Sequence, residues 1–241
     1  MLNFLSRAEV DELCDGLICQ FYGEKRFSCV DIDRFVREGL RCPVLYEAFA
    51  EEDLDKIGFC GDGSSPLRVY RNGIPETIIF PKETIVLERY LLREEEQNRR
   101  RFTLAHEAGH VLAARMASAS SAHFHQSHDT DRVYALEDLR ERLSIAEWQA
   151  NTLAAALLMP RFLVKRELKQ HTGNGCLPVY GERVFCLKEK IVLREISRTL
   201  GVSYTALVIR LDNLGALHHR PLSEYISKEL GLGGDIHDFR C

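Results

Sequence analysis

Two histidines one helical turn apart, with a glutamate beside the first, stand in the run Arg101–His110 as His106-Glu107-x-x-His110. At a spacing of i, i+4 both imidazoles leave one face of a helix and can reach the same metal ion. A carboxylate at Glu107 is close enough to contact water at such a metal without ligating it. The chemistry implied is metal-assisted hydrolysis with water activated at neutral pH.

Such a short motif arises by chance, and single histidines more often serve as ordinary core or surface residues. The surrounding sequence favours a site. Phe102, Ala105, Gly109 and Leu112 form one apolar stripe, flanked by Leu104, Ala108 and Val111, so the helix must be buried over much of its circumference. Two histidines and a glutamate on such a helix are costly to bury unless something binds them. Small Ala105, Ala108 and Gly109 admit a second backbone at close range. A catalytic zinc needs a third protein ligand and an open position for water. Glu147 is a donor on a later helical stretch, Ala146–Pro160, where Glu147, Asn151, Ala154 and Leu158 share a face. Spacing alone leaves Glu147 in competition with Glu137, Asp138 and Glu141, and a glutamate at a helix start also has the ordinary explanation of the helix dipole.

The stretches RFTLAHEAGH and EWQANTLAAALLMP, in that order, resemble the ImmA/IrrE family of metallopeptidases, whose members pair RFTLAHELGH with E-x-x-A-N-x-F-A-x-x-L-L-M-P. A later segment, LREISRTLGVSYTALVIRLDNLG, extends the resemblance in outline over residues 5–217. The resemblance implies zinc ligands at His106, His110 and Glu147 and a general base at Glu107. It also implies one zinc per chain as cofactor, and a helix-turn-helix repressor, often of the XRE type, as protein substrate. The family's aromatic in the second motif is Leu153 here, a packing change. Residues 119–143 resemble an insertion between the two motifs.

The elements that must position these groups are readable in outline. An amphipathic helix is predicted over Ala8–Phe21, and a second, capped by Asp31, runs through Glu38 to Gly39. Strand-like runs follow at Pro43–Ala50, Ile57–Cys60, Leu67–Tyr70, Thr77–Phe80 and Thr84–Glu88. The charged stretch Leu92–Arg101 begins the histidine-bearing helix, which fades near Ala119. Ser118–Arg132 reads as a polar, exposed loop, and its His123, His125 and His128 could line a cleft or hold a second metal. Helices resume at Ser144–Leu158, Arg161–Gln170 and Lys188–Leu200, with Gly173–Gly181 as a loop. Ile191–Gly215 has the phrasing of a helix-turn-helix, with a turn at Gly201 and a cap at Ser203. A DNA reader would line its second helix with basic or amide side chains. This one offers Arg210 and Asn213 against Asp212, which favours packing or partner docking. The tail Pro221–Cys241 is short and carries no clear pattern, and its Asp235-Ile-His237-Asp238 cluster reads as a surface end and not a site.

Composition narrows the class. The 241 residues carry 32 Lys and Arg against 36 Asp and Glu, a net charge of −4, which argues against bulk nucleic-acid affinity. No run is long enough for a membrane span, and MLNFLSRAEVDELC meets charge too early for a secretory signal. The 8 cysteines include no C-x-x-C pair, so a zinc knuckle is not expected and reduced thiols in a cytoplasmic protein are.

The expected architecture is a compact α+β zincin-like fold: a small twisted antiparallel or mixed sheet, the H-E-x-x-H helix packed beneath it, and a helical C-terminal half. Residues 1–187 would form the metallopeptidase domain and 188–241 the helix-turn-helix-like segment and tail. The expected activity is zinc-dependent endopeptidase cleavage with Glu as third ligand, the substrate adding to a sheet edge such as Thr84–Leu87. Tyr134 and the loop histidines are candidates for a second oxyanion donor. The rival class is a non-catalytic regulator that binds a protein partner or operator DNA, against which the intact Glu107 argues.

Overall fold

The computed structural model describes residues 5–53, 56–120 and 136–232, with side chains left undescribed at 117–120 and 136–144. The chain divides into two compact units, Met1–Pro160 and Arg161–Cys241.

In the first unit, α1 (Arg7–Tyr22) starts at a capping box: the Glu9 N–H donates to Ser6 Oγ at 3.3 Å while the Ser6 N–H donates to Glu9 Oε2 at 2.8 Å. Helix α2 (Ile32–Arg34) is capped by Asp31, whose Oδ1 accepts the Arg34 N–H at 3.1 Å. It widens into a π-helical turn over Phe35–Gly39.

Five strands follow: β1 (Val44–Phe49), β2 (Gly58–Cys60), β3 (Pro66–Arg71), β4 (Ile74–Ile79) and β5 (Ile85–Glu88), ordered β2-β5-β1-β3-β4. Only the β1–β5 pairing is parallel, so this sheet is mixed. Strands β3 and β4 meet in a hairpin at Asn72-Gly73, both at positive φ as a tight primed turn requires. Ile85, Val86 and Leu87 are all fully buried, the mark of a strand covered on both faces. Val86 joins Leu67, Val69 and Phe80 in a cluster to which Phe49, Phe59 and Ile78 add.

This corrects one sequence expectation. Thr84–Leu87 is not a sheet edge, because β2 pairs along β5 in the register Gly58↔Leu87 and Cys60↔Ile85. Among the described residues the outermost strand on that side is β2. A continuous apolar run cannot sit at a wet edge, and a three-residue strand containing glycine can.

Helix α3 (Gln97–Ser120) carries the histidines. The charged lead-in forms two 3-10 turns, Arg89–Leu92 and Glu94–Glu96, so the helix begins later than predicted. Two arginines fasten it. Arg101 donates to Val30 O at 2.8 Å, and Arg115 donates to Leu40 O at 2.9 Å and to both Glu83 oxygens at 3.0 and 2.6 Å. Helix α4 (Leu136–Leu158) packs along α3 and begins earlier than the predicted Ser144. Leu153, in the place of the family's aromatic, is fully buried. The loop histidines, His123, His125 and His128, lie outside the described residues.

The second unit contains α5 (Arg161–Thr172), β6 (Leu177–Tyr180), α6 (Leu187–Leu200), α7 (Tyr204–Asn213), β7 (Leu217–Arg220) and α8 (Leu222–Glu229). The predicted loop at Gly173–Gly181 in fact holds β6, which pairs in parallel with β7 from Leu177↔Leu217 to Tyr180↔Arg220. Neither strand is long enough to declare itself locally, and Pro178 weakens the pattern further. Between α6 and α7 the turn chemistry is as read: Gly201 is left-handed (φ 63°, ψ 44°), and Ser203 Oγ accepts the Ala206 N–H at 3.1 Å. Arg210 is only 4% exposed, so it cannot serve as the surface cation that a DNA reader needs.

Candidate active site

The site lies wholly in the first unit, between β2 and the helices α3 and α4. Gly109 makes it possible: a Cβ there would stand 2.8 Å from Ala150 O and 3.1 Å from Ala150 Cα. The two helices therefore touch backbone to backbone, and α4 presents Glu147 and Asn151 to the histidine face of α3. Asn151 Oδ1 lies 3.0 Å from His106 Nδ1. With that nitrogen protonated and donating, the Nε2 lone pair is left for a metal, the tautomer being assigned from the hydrogen-bond network.

His106 Nε2 and His110 Nε2 are 3.1 Å apart, and Glu147 places Oε2 at 3.2 Å from the first and Oε1 at 3.3 Å from the second. Ligands held about 2.0–2.1 Å from a tetrahedral zinc stand about 3.3 Å from one another. The donor set thus fits a zinc ion in chemistry and in separation. Among the described residues these three form the group of His, Cys, Asp and Glu side chains able to hold a metal. The rivals Glu137, Asp138 and Glu141 belong to the part of α4 whose side chains are outside the description, as is Tyr134 altogether.

Glu107 is 7% exposed and lies beside this cluster. Burial, and then the Glu147 charge, push its carboxyl up to about 8, with Lys56 opposing. A dication at the cluster would act in the other direction and favour the carboxylate. Burial and the neighbouring His106 hold His110 below the ordinary histidine range, against the pull of Glu147. A neutral imidazole is the ligating form.

A cleft of about 1110 Å³ opens over these groups, lined on the sheet side by Lys56, Gly58, Phe59 and Cys60. Gly58 was absent from the sequence reading. A Cβ at this position would meet the Glu107 carboxylate, standing 3.0 Å from Cδ, and would press on Thr103 Cγ2 at 2.8 Å. The available signal was a glycine inside a strand-like run, which marks a close approach. Cys60, on the same strand, has its thiol pushed up to about 12, first by burial and then by Glu107, so it stays protonated and unreactive.

Gly58→Ala is therefore expected to displace the Glu107 carboxylate while leaving His106, His110 and Glu147 in place. For a peptidase that uses this metal cluster and Glu107, metal content should persist and turnover should fall on the order of 10²-fold, the cost of misplacing a catalytic group by about 1 Å. A Gly58→Ala protein with unchanged turnover would show that Glu107 has room to spare.

Residues 80–212 match the family described as the IrrE N-terminal-like domain, Peptidase_M78, and the chain belongs to that family of peptidases. No curated protein sequence matches it. Among solved structures, a Mycobacterium tuberculosis transcriptional regulator is similar at 14% identity with a TM-score of 0.45, over 87% of this chain and 47% of that one. This chain thus spans about half the length of that protein.

Proposed function

We propose that this protein is a zinc-dependent endopeptidase with a zincin-like fold. The observation that carries the reading is the tetrahedral-edge spacing of His106, His110 and Glu147, with a buried carboxyl, Glu107, beside them. The ion, when bound, supplies a Lewis acid that polarises a peptide carbonyl and lowers the pKa of water towards about 7. Glu107 accepts the proton of the attacking water and returns it to the departing amine. Asn151 holds His106 in its ligating tautomer. Among the described residues no strand pairs with the outer side of β2, beside the cleft, where an extended substrate segment can pair as an added strand.

The substrate class follows the family resemblance: a helix-turn-helix repressor, of the XRE type, cut so that repression ends. A cytoplasmic setting agrees with such a substrate, and no described helix is long and apolar enough to cross a membrane. In functional terms we divide the chain at 187/188, with the α6–α7 pair as a helix-turn-helix-like segment that packs or docks a partner. The test is incubation with a repressor encoded next to the gene, with and without a chelator. Purified protein should carry close to one zinc per chain and cleave the repressor, and chelation should stop cleavage until zinc is restored. Cleavage that survives complete removal of metal would overturn the reading.

The rival, a regulator that binds operator DNA, predicts salt-sensitive, sequence-specific duplex binding. We expect none near physiological ionic strength, since strong readers neutralise roughly 6–10 phosphates. With Arg210 buried, Arg210→Ala probes the packing of the second unit and not DNA contact. The informative variants are at exposed Arg194 and Arg198 on α6. Fluorescence-anisotropy titration at two salt concentrations decides the matter: tight, salt-steep operator binding, weakened by changing those arginines to alanine, would favour the regulator.

A further inference from the structure

A second cavity, of about 400 Å³, lies in the first unit between α2, β1 and the first turns of α3. Its volume is within the range of small-molecule sites. Arg100 and Leu104 reach it from a side of α3 about 120° round from His106 and His110, and the two hollows share no lining residue, so it is separate from the metal cluster. Ile32 and Leu104 form a buried apolar wall, with Leu92 at the margin. Asp33, Tyr46 and Arg100 supply the polar lining.

These polar groups are arranged unusually for a surface hollow. The Tyr46 hydroxyl feels both charges: burial and then Asp33 raise its pKa, while Arg100 opposes them. Yet Asp33 takes its ion pair from Arg37, at 2.6 Å, and among the described residues Arg100 has no ion-pair partner. Asp31 and Arg101 also border the hollow but are engaged elsewhere, Asp31 Oδ1 in capping α2 and Arg101 on Val30 O. A carboxylate and a guanidinium held by different elements thus face one hollow without closing on each other. A ligand that carries both charges on a short spacer meets Arg100 and the Asp33 oxygen that Arg37 leaves uncommitted, and an apolar substituent finds the aliphatic wall.

We propose that this cavity binds a small apolar α-amino acid. Its carboxylate rests on Arg100 and the Tyr46 hydroxyl, its ammonium on Asp33, and its side chain on Ile32 and Leu104. The site is independent of the peptidase reading and stands or falls without it.

The experiment is thermal denaturation of the full chain with L-leucine, L-isoleucine, L-valine or L-methionine. Isoamylamine and 4-methylpentanoate serve as controls that carry one charge each. At least one amino acid should raise the melting temperature by about 2 °C or more at saturation, as expected for a ligand specific to the folded state. The single-charge analogues should not. Arg100→Gln and Tyr46→Phe should each weaken the apparent affinity by about tenfold or more, the loss of a charge-assisted hydrogen bond. Should Arg100→Gln fail to fold by circular dichroism, Tyr46→Phe and Asp33→Asn carry the test. No shift with any of the four amino acids, an equal shift with either single-charge analogue, or an amino-acid response undiminished in the folded variants would each overturn the proposal.

Discussion

Replacing His106 with alanine is expected to abolish both zinc binding and peptide cleavage. The Nε2 of His106 stands 3.1 Å from His110 Nε2 and 3.2 Å from Glu147 Oε2, so its loss opens one corner of a three-cornered donor set. The remaining imidazole and carboxylate keep one edge, at 3.3 Å. Two protein ligands do not make the three that a catalytic zinc takes. Losing an outer partner of a ligand already costs about 10–100-fold in metal affinity, and losing the ligand itself should exceed that range. The check is metal content by mass spectrometry after dialysis, run beside a cleavage assay. His106→Ala protein that still holds stoichiometric zinc would remove this residue from the ligand set. Asn151→Ala makes a graded companion: it leaves every ligand but frees the ring, and should weaken zinc binding by about 10–100-fold.

Glu107→Gln is expected to separate binding from chemistry. The amide has the shape of the carboxyl and fits the same space under Gly58. It carries no charge into a pocket where burial and Glu147 already disfavour the anion, so folding and zinc content should be retained. What it lacks is the ability to accept a proton. General acid–base catalysis contributes about 10²–10⁴-fold, so turnover should fall by at least ~100-fold. Substrate affinity should change little, because the loss concerns the transition state and not the resting complex. Cleavage at the wild-type rate by zinc-loaded Glu107→Gln would falsify the general-base assignment while leaving the metal site intact. Together the two variants distinguish a missing ion from a missing proton acceptor.

Much of the site could be read before any fold was known, because its parts are local. The i, i+4 spacing of His106 and His110 fixes a shared face on any helix, and the small residues between them announce a close neighbour. The structure bears out that close approach at Gly109 and Ala150. It brings Glu147 to both histidines, while the three other carboxylates that spacing had left open have side chains outside the description. Helix caps at Asp31 and Ser203 and the left-handed Gly201 were equally local, since each is a side chain or dihedral acting within one turn.

The misses share a different physical origin. Strands β6 and β7 are four residues each and exist by pairing with one another across α6 and α7. No window around Gly173–Gly181 contains its partner. Thr84–Leu87 looked like a free edge because a strand's neighbours are invisible in its own sequence, although three consecutive apolar residues were a warning. Arg210 was counted among the side chains its helix offers, even with packing preferred to DNA reading, because helical position gives a face and not what covers it.

For this protein, then, the sequence by itself determined the residue types and spacing that can hold a metal, the helices that carry them and the membership in a peptidase family. Those properties depend on covalent order and on interactions within a turn or two. Only the tertiary structure decided that β2, and not β5, borders the cleft, that Gly58 leaves room for Glu107, and that Arg210 is enclosed. Each of these is a relation between segments far apart in the chain, set by which surfaces exclude water together, and no local pattern encodes it.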